Sequence, residues 1–207
     1  MEYFFCAFIG YFIGSFPTGY VILKRLKKID ITNEGSGNVG AMNSYEVTNS
    51  RLAGISVFFI DFIKGIASVI LTEILFGMEF NLAATSIIFA VLSHCYSPWI
   101  KFKGGRGLST AAGGSLFLFP IIIAIWLILW TISYFISRNV HIGNSVASFL
   151  TALATIFSGN MINRYSVISP VPDIFFMISV SLIMLIILSR HISPLKEILV
   201  KQKINRK

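Results

Sequence analysis

The residues best suited to chemistry lie between two long apolar runs. Lys101, Lys103 and Arg106 share a loop with Gly104, Gly105 and Gly107, and Ser109 and Thr110 follow at once. Glycines let a backbone turn sharply and come close to a ligand. Amides of such a loop, opening onto a helix, make an anion site. Ser109 and Thr110 are placed to cap that helix or to give hydroxyls to the anion. The chemistry implied is the holding of a phosphate or carboxylate at a membrane surface. The same composition also serves as a basic cytoplasmic turn, and the two uses are compatible.

A second polar segment, residues 29–52, carries Gly35, Ser36, Gly37, Asn38, Gly40 and Asn43. The three glycines satisfy GxGxxG, but the dinucleotide fingerprint needs a strand before it and a βαβ unit around it, and this chain offers neither. What remains is a set of small residues, hydroxyls and amides at an expected helix start, suited to an oxyanion; the alternative is a solvated turn. Asp61 and Lys64 interrupt an apolar run three residues apart, hence on one helix face. Charges at membrane depth are costly, so a supporting ion pair is expected. His94, about two turns before the basic loop, is expected to support the site as well, and Arg190 and His191 lie near the chain end. There is no Cys/His dyad and no pair of poised carboxylates. A reaction needing a strong protein base is therefore disfavoured, whereas a substrate already activated, such as an acyl phosphate, needs mainly charge stabilisation and positioning.

The elements that must position these residues are membrane helices. Of 207 residues, 55% are hydrophobic and 13% charged, about half the charge of a soluble domain, and the mean hydropathy is +0.78. The expected class is all-α and polytopic, one integral-membrane domain over residues 1–207. The net charge of +8 does not point to nucleic acid, because the cations flank apolar runs, the pattern of membrane orientation and anionic-lipid contact. Cys6 and Cys95 form no CxxC and the three histidines are scattered, so no metal and no cofactor is expected. Met1 and Glu2 lack a positive n-region, so no cleavable signal is expected.

Seven spans are predicted: 3–23, 52–76, 82–100, 108–119, 121–137, 144–162 and 174–189. The division of the apolar run 108–136 rests on Gly113, Gly114 and Pro120, since its 29 residues at about 1.5 Å each exceed a bilayer core of about 30 Å; five passes is the alternative. Gly10 and Gly14 form a GxxxG packing face, and Pro17 should kink the first span. With seven passes, 15 of the 17 Lys and Arg residues fall on one side, which puts the N-terminus outside and the C-terminus in the cytoplasm. The loops around Ser36–Asn43 and Lys103–Thr110, the Arg190–His191 pair and an expected helix start at Asn144–Ser148 then converge on the cytoplasmic face.

In this order and spacing the residues resemble a known family, the bacterial acyl-phosphate–glycerol-3-phosphate acyltransferases. The resemblance runs through Gly14–Gly19, Gly35–Asn43, Asp61–Gly65, His94, Phe102–Gly107 with Thr110, Ser145–Ser148 and His191. It implies an enzyme of the bacterial inner (plasma) membrane with its active site facing the cytoplasm. The enzyme would move a fatty acyl group from acyl phosphate to glycerol 3-phosphate, giving lysophosphatidic acid without coenzyme A or a metal. It implies that Ser36, Arg106 and His191 hold the acceptor phosphate. Gly37, Asn38, Gly40, Asn43, Lys103, Gly104, Gly105, Gly107, Thr110, Ser145 and Ser148 would complete the substrate sites, with Asp61, Lys64 and His94 in support. The sequence departs from the family pattern at Met42, where Thr is usual, at Glu46, where an Arg stands, at Arg106 in place of Lys, and after His191, where Pro194 replaces Asn. Reversing a charge at position 46 motivates the alternatives of another acceptor or a non-catalytic membrane homologue.

Overall fold

The computed structural model describes residues 1–168 and 171–204, with side chains to residue 200. Among the described residues there is no strand. The helices are α1 (Glu2–Ser15), α2 (Thr18–Lys27), α3 (Ala41–Thr48), α4 (Arg51–Phe76), α5 (Phe80–Cys95), α6 (Leu108–Leu118), α7 (Pro120–Ser137), α8 (Val140–Ile162), α9 (Asp173–Ser189) and α10 (Ile192–Ile204). Five stretches are long and apolar enough to cross a membrane: Glu2–Lys27, Arg51–Phe76, Phe80–Ile100, Pro120–Ser137 and Val140–Tyr165. A sixth, Asp173–Ser189 with Ile192–Val200, is bent by 42°. Counting α6 gives the seven apolar elements expected, but α6 has 11 residues and spans only about 16 Å. Large apolar side chains face outward: Phe8, Phe12, Ile136 and Phe157 are 61%, 62%, 81% and 80% exposed. Such exposure would be unfavourable in water and fits hydrocarbon.

Small residues bring the helices together. A Cβ on Gly10 or Gly14 would overlap the backbone of Ser86 or Ala90 on α5, so the expected GxxxG face is the α1–α5 seam. Gly65 on α4 and Gly113 on α6 pack backbone against backbone in the same way. With no hydrophobic drive between helices in lipid, this close contact supplies the association.

Both proline expectations locate real breaks. α6 ends at Leu118 and α7 opens on Pro120, in a first turn where the missing N–H costs nothing. Pro17 does more than kink its span, separating α1 from α2. Removing an N–H strands carbonyls of the preceding turn, and other side chains satisfy them: Lys64 Nζ donates to Phe16 O at 2.7 Å and Gly14 O at 3.4 Å, and Ser97 Oγ to Ser15 O at 2.6 Å.

Two local expectations are corrected, and one element is added. Ser109 and Thr110 do not cap α6, because Gly107 is its N-cap, at φ +84°, a conformation that glycine adopts without strain. α8 starts at Val140, where Asn139 Oδ1 accepts from His141 N and Ile142 N; Asn144–Ser148 therefore lie inside that helix rather than at its start. The chain after His191 forms α10, with Pro194 tolerated in its first turn. Arg206 and Lys207, counted among the tail cations, lie outside the described residues, as do the side chains of Lys201 and Lys203.

Candidate active site

The glycine loop closes one wall of a cleft of ≈ 330 Å³ that also takes in Asn38, Gly40 and Met42, Asp61 and His94, Trp126 and Trp130, and Asn144. That volume is within the range of small-ligand sites, roughly 300–1,000 Å³. The loop is bent by consecutive left-handed residues, Lys101 at φ +56° and Phe102 at φ +58°. Neither is a glycine, so each conformation costs about 1–3 kcal/mol. Ser97 O accepting from Phe102 N at 2.9 Å and Lys103 O accepting from Ser97 N at 3.1 Å pin the bend. Gly104 and Gly105 then run against the end of α5, where Gly105 N donates to His94 O at 3.0 Å. From the other side the Arg190 guanidinium, 5.0 Å over the Tyr96 ring, donates to Gly104 O at 3.3 Å and Gly105 O at 3.2 Å.

Two features of this wall suit an anion. Among the described residues, the backbone N–H groups of 106–110 have no protein acceptor and lie at the positive N-terminal end of α6. Arg106 lines the cleft and has no hydrogen bond or ion pair among the described residues. Burial pulls its guanidinium below the ordinary value, and the nearby negative charges of Glu46 and Glu197 partly restore it; it stays charged. Lys103 is exposed and outside the cleft. Thr110 is buried in the first turn of α6 with its hydroxyl unpartnered.

The polar segment is held by Asn43, which is 2% exposed. Its Oδ1 accepts from Ser36 N at 3.0 Å, and its Nδ2 donates to Asn38 O at 2.8 Å and Glu34 O at 3.1 Å. Asn43 is thus spent on shaping the loop. Gly35 and Gly37 take φ +57° and +68°, and Asn38 Oδ1 accepts from Gly40 N at 2.7 Å. Asn38 and Gly40 reach the cleft; Ser36 and Gly37 do not, and the exposed Ser36 hydroxyl has no partner among the described residues.

Behind the cleft, Asp61 and Lys64 form the expected ion pair, Nζ to Oδ1 at 2.7 Å, and Thr18 Oγ1 donates to the same oxygen at 2.7 Å. Lys64 Nζ also lies 3.4 Å from His94 Nδ1. His191, wholly buried, is held at both nitrogens: Nδ1 donates to Ile187 O at 2.9 Å and Nε2 accepts from Asn144 Nδ2 at 3.2 Å. Ser145 Oγ donates to His141 O one turn earlier in α8 at 2.8 Å, and the buried Ser148 Oγ accepts from Trp126 Nε1 at 3.0 Å, tying α8 to its neighbour α7.

The cleft runs into an apolar groove of ≈ 300 Å³ between α4, α6, α7 and α9, with which it shares Phe58, Leu108, Ser109, Trp126 and Leu127. Groups suited to an anion thus stand at the head of an apolar groove.

The family pattern described as glycerol-3-phosphate acyltransferase matches residues 4–201. The chain belongs to the glycerol-3-phosphate acyltransferase family. The Helicobacter pylori glycerol-3-phosphate acyltransferase is 38% identical over 158 residues, covering 72% of this chain and 70% of that protein. The Fusobacterium nucleatum protein of the same name is 35% identical over 160 residues, covering 75% and 79%. The crystal structure of PlsY (YgiH), an integral membrane glycerol 3-phosphate acyltransferase, in its glycerol 3-phosphate form superposes with a TM-score of 0.77 at 29% identity, covering 97% of this chain and 94% of that one. Its lysophosphatidic acid form gives 0.75 at 27% identity. The protein is accordingly a multi-pass membrane acyltransferase of phospholipid synthesis.

Within this acyltransferase the cleft gathers Arg106, Gly107, Asn38, Gly40, Asp61 and His94 from the residues singled out in sequence, and leaves His191, Ser145 and Ser148 behind its wall. Glu46 is exposed and not within ion-pair distance of Arg106. Four contributors carried weak sequence signals. Asn144 lies beside a serine motif, and Arg190 is one cation in a basic tail. Trp126 and Trp130 share a helical stripe with Tyr134, the ring pairs stacked at 6.3 and 5.2 Å; only their spacing of four marks one face.

Proposed function

We propose that this acyltransferase moves a fatty acyl group from acyl phosphate to glycerol 3-phosphate, giving 1-acyl-glycerol 3-phosphate and inorganic phosphate. The observation carrying this reading is the Arg106 guanidinium with the amides of α6, all without a protein partner among the described residues, at the head of the apolar groove. The groove suits the acyl chain, and the amides and Arg106 suit the phosphates. The acceptor hydroxyl attacks the acyl carbon, the new C–O bond forms, and the bond to the phosphate oxygen breaks. The hydroxyl proton leaves on phosphate, whose esters have a second pKa of about 6, so no strong protein base is needed. Glycerol 3-phosphate as acceptor is compatible with Glu46, which does not occupy Arg106. The chain acts as one catalytic unit in a bacterial inner membrane, its cleft on the cytoplasmic side with most of its cations. Purified protein incubated with palmitoyl phosphate and an acceptor panel tests this. Phosphate release and lysophosphatidic acid that depend on glycerol 3-phosphate, and that fall in Arg106→Ala, are expected. Turnover with another acceptor alone, or none with any, overturns the reading.

A further inference from the structure

The Asp61–Lys64–His94 network invites a question that an ion pair alone does not answer: why a histidine ends it at the cleft. Lys64 Nζ lies 3.4 Å from His94 Nδ1 and 2.7 Å from Asp61 Oδ1, while Asp61 Oδ1 is 3.7 Å from Nδ1, beyond hydrogen-bond reach. An ammonium only donates. His94 Nδ1 is therefore the acceptor, and a neutral ring carries its proton on Nε2. Protonating both nitrogens would set a second positive charge against Lys64.

His94 lines the cleft although it is only 6% exposed, and Nε2 has no protein partner among the described residues and is not sealed from solvent. Its side of the ring is where the glycine loop passes. A Cβ on Gly105 would overlap Nε2, so this approach exists only because that residue is glycine. The cleft that His94 lines also takes in Arg106 and Leu108, and Leu108 lines the apolar groove as well, so the ring shares one cavity with the anion-binding head and the start of that groove. In an acyl phosphate the carbonyl is the group between phosphate and tail.

We propose that His94 is a catalytic residue that donates a hydrogen bond from Nε2 to the acyl carbonyl oxygen of the donor, with Lys64 as the positioning residue that fixes the tautomer. The proposal rests on the acyl-phosphate reading above. No proton is transferred. The carbonyl oxygen gains negative charge as the acceptor oxygen bonds to carbon, and the electron pair returns as the phosphate leaves. A neutral, preoriented N–H is stronger on the tetrahedral oxyanion than on the ground-state carbonyl, which is what accelerates the step.

Two measurements on the full chain in detergent test it. First, 15N NMR of the histidine rings, with His94 assigned by loss of its signals in His94→Gln, reads the tautomer with no substrate present. A neutral ring protonated at Nε2 is expected; a proton on Nδ1, in either charge state, overturns the proposal. Second, turnover of palmitoyl phosphate is compared in wild type, His94→Ala, His94→Gln and His94→Asn. Gln keeps an amide donor near the place of Nε2, and Asn moves it to the place of Nδ1. His94→Ala and His94→Asn should lose about 10²–10³-fold in kcat, the loss seen when one oxyanion donor is removed, with His94→Gln at least about tenfold above both. A merely structural histidine predicts that the three variants lose activity in step with thermal stability, and that result overturns the proposal. If wild type turns over and His94→Gln equals His94→Ala, the assignment of His94 falls alone; if wild type uses no acyl phosphate, the donor reading falls and takes it along.

Discussion

Gly105→Ala adds one methyl group to the loop at the point where it crosses His94. Built on the observed backbone, the new Cβ overlaps Nε2 and lies 2.7 and 2.9 Å from two ring carbons, against an ordinary contact of about 3.5–4.0 Å. Relief requires loop and ring to part by about 1–1.5 Å. The ring cannot easily yield: it is buried and lies against Lys64, which is held by Asp61, Phe16 O and Gly14 O. The loop cannot easily yield either, because Arg190 holds Gly104 O and Gly105 O. Overpacking of this kind costs about 1–3 kcal/mol in stability, and a misplacement of about 1 Å in a catalytic wall costs about 10²-fold in rate. Gly105→Ala should therefore fold, unfold at a lower temperature, and lose about 10²-fold in kcat with palmitoyl phosphate. Wild-type kcat together with an unchanged melting temperature would refute the packing of loop on ring.

Arg190→Ala removes both carbonyl contacts from the loop and should raise the KM for acyl phosphate about tenfold, with Arg190→Lys between the two, since charge-assisted bonds contribute about 1.5–3 kcal/mol; an unchanged KM means that the loop holds its shape alone. Glu46→Arg should lower the KM for glycerol 3-phosphate about two- to fivefold, an effect that fades at high salt because the side chain is exposed; a rise in KM would show that Glu46 helps hold the acceptor. Asp61→Asn leaves Lys64 buried without its counter-charge and should cost about 3–5 kcal/mol in stability, read by thermal unfolding in detergent; a loss below about 1 kcal/mol would mean that the two carbonyls and His94 suffice for Lys64.

The sequence by itself determined the class and most of the parts. Hydrophobic runs of about 20 residues can only be buried in lipid as helices, because each backbone polar group must be satisfied within the segment. That argument also located the break at Pro120 and the ion pair of Asp61 and Lys64, whose spacing of three is itself a helical contact. The order of the motifs identified the family. Tertiary structure alone decided which polar groups face the cleft. Asn43 and Asn38 look alike in sequence, but Asn43 is consumed by the loop it shapes and Asn38 reaches the cleft. His94 and His191 are both buried, but both nitrogens of His191 are occupied, while His94 lines the cleft with its Nε2 unpartnered among the described residues. Whether a side chain's donors and acceptors are spent depends on neighbours dozens of positions away, such as Asn144 for His191 and Phe16 for Lys64. Local spacing carries no record of those distances, and only packing the helices sets them.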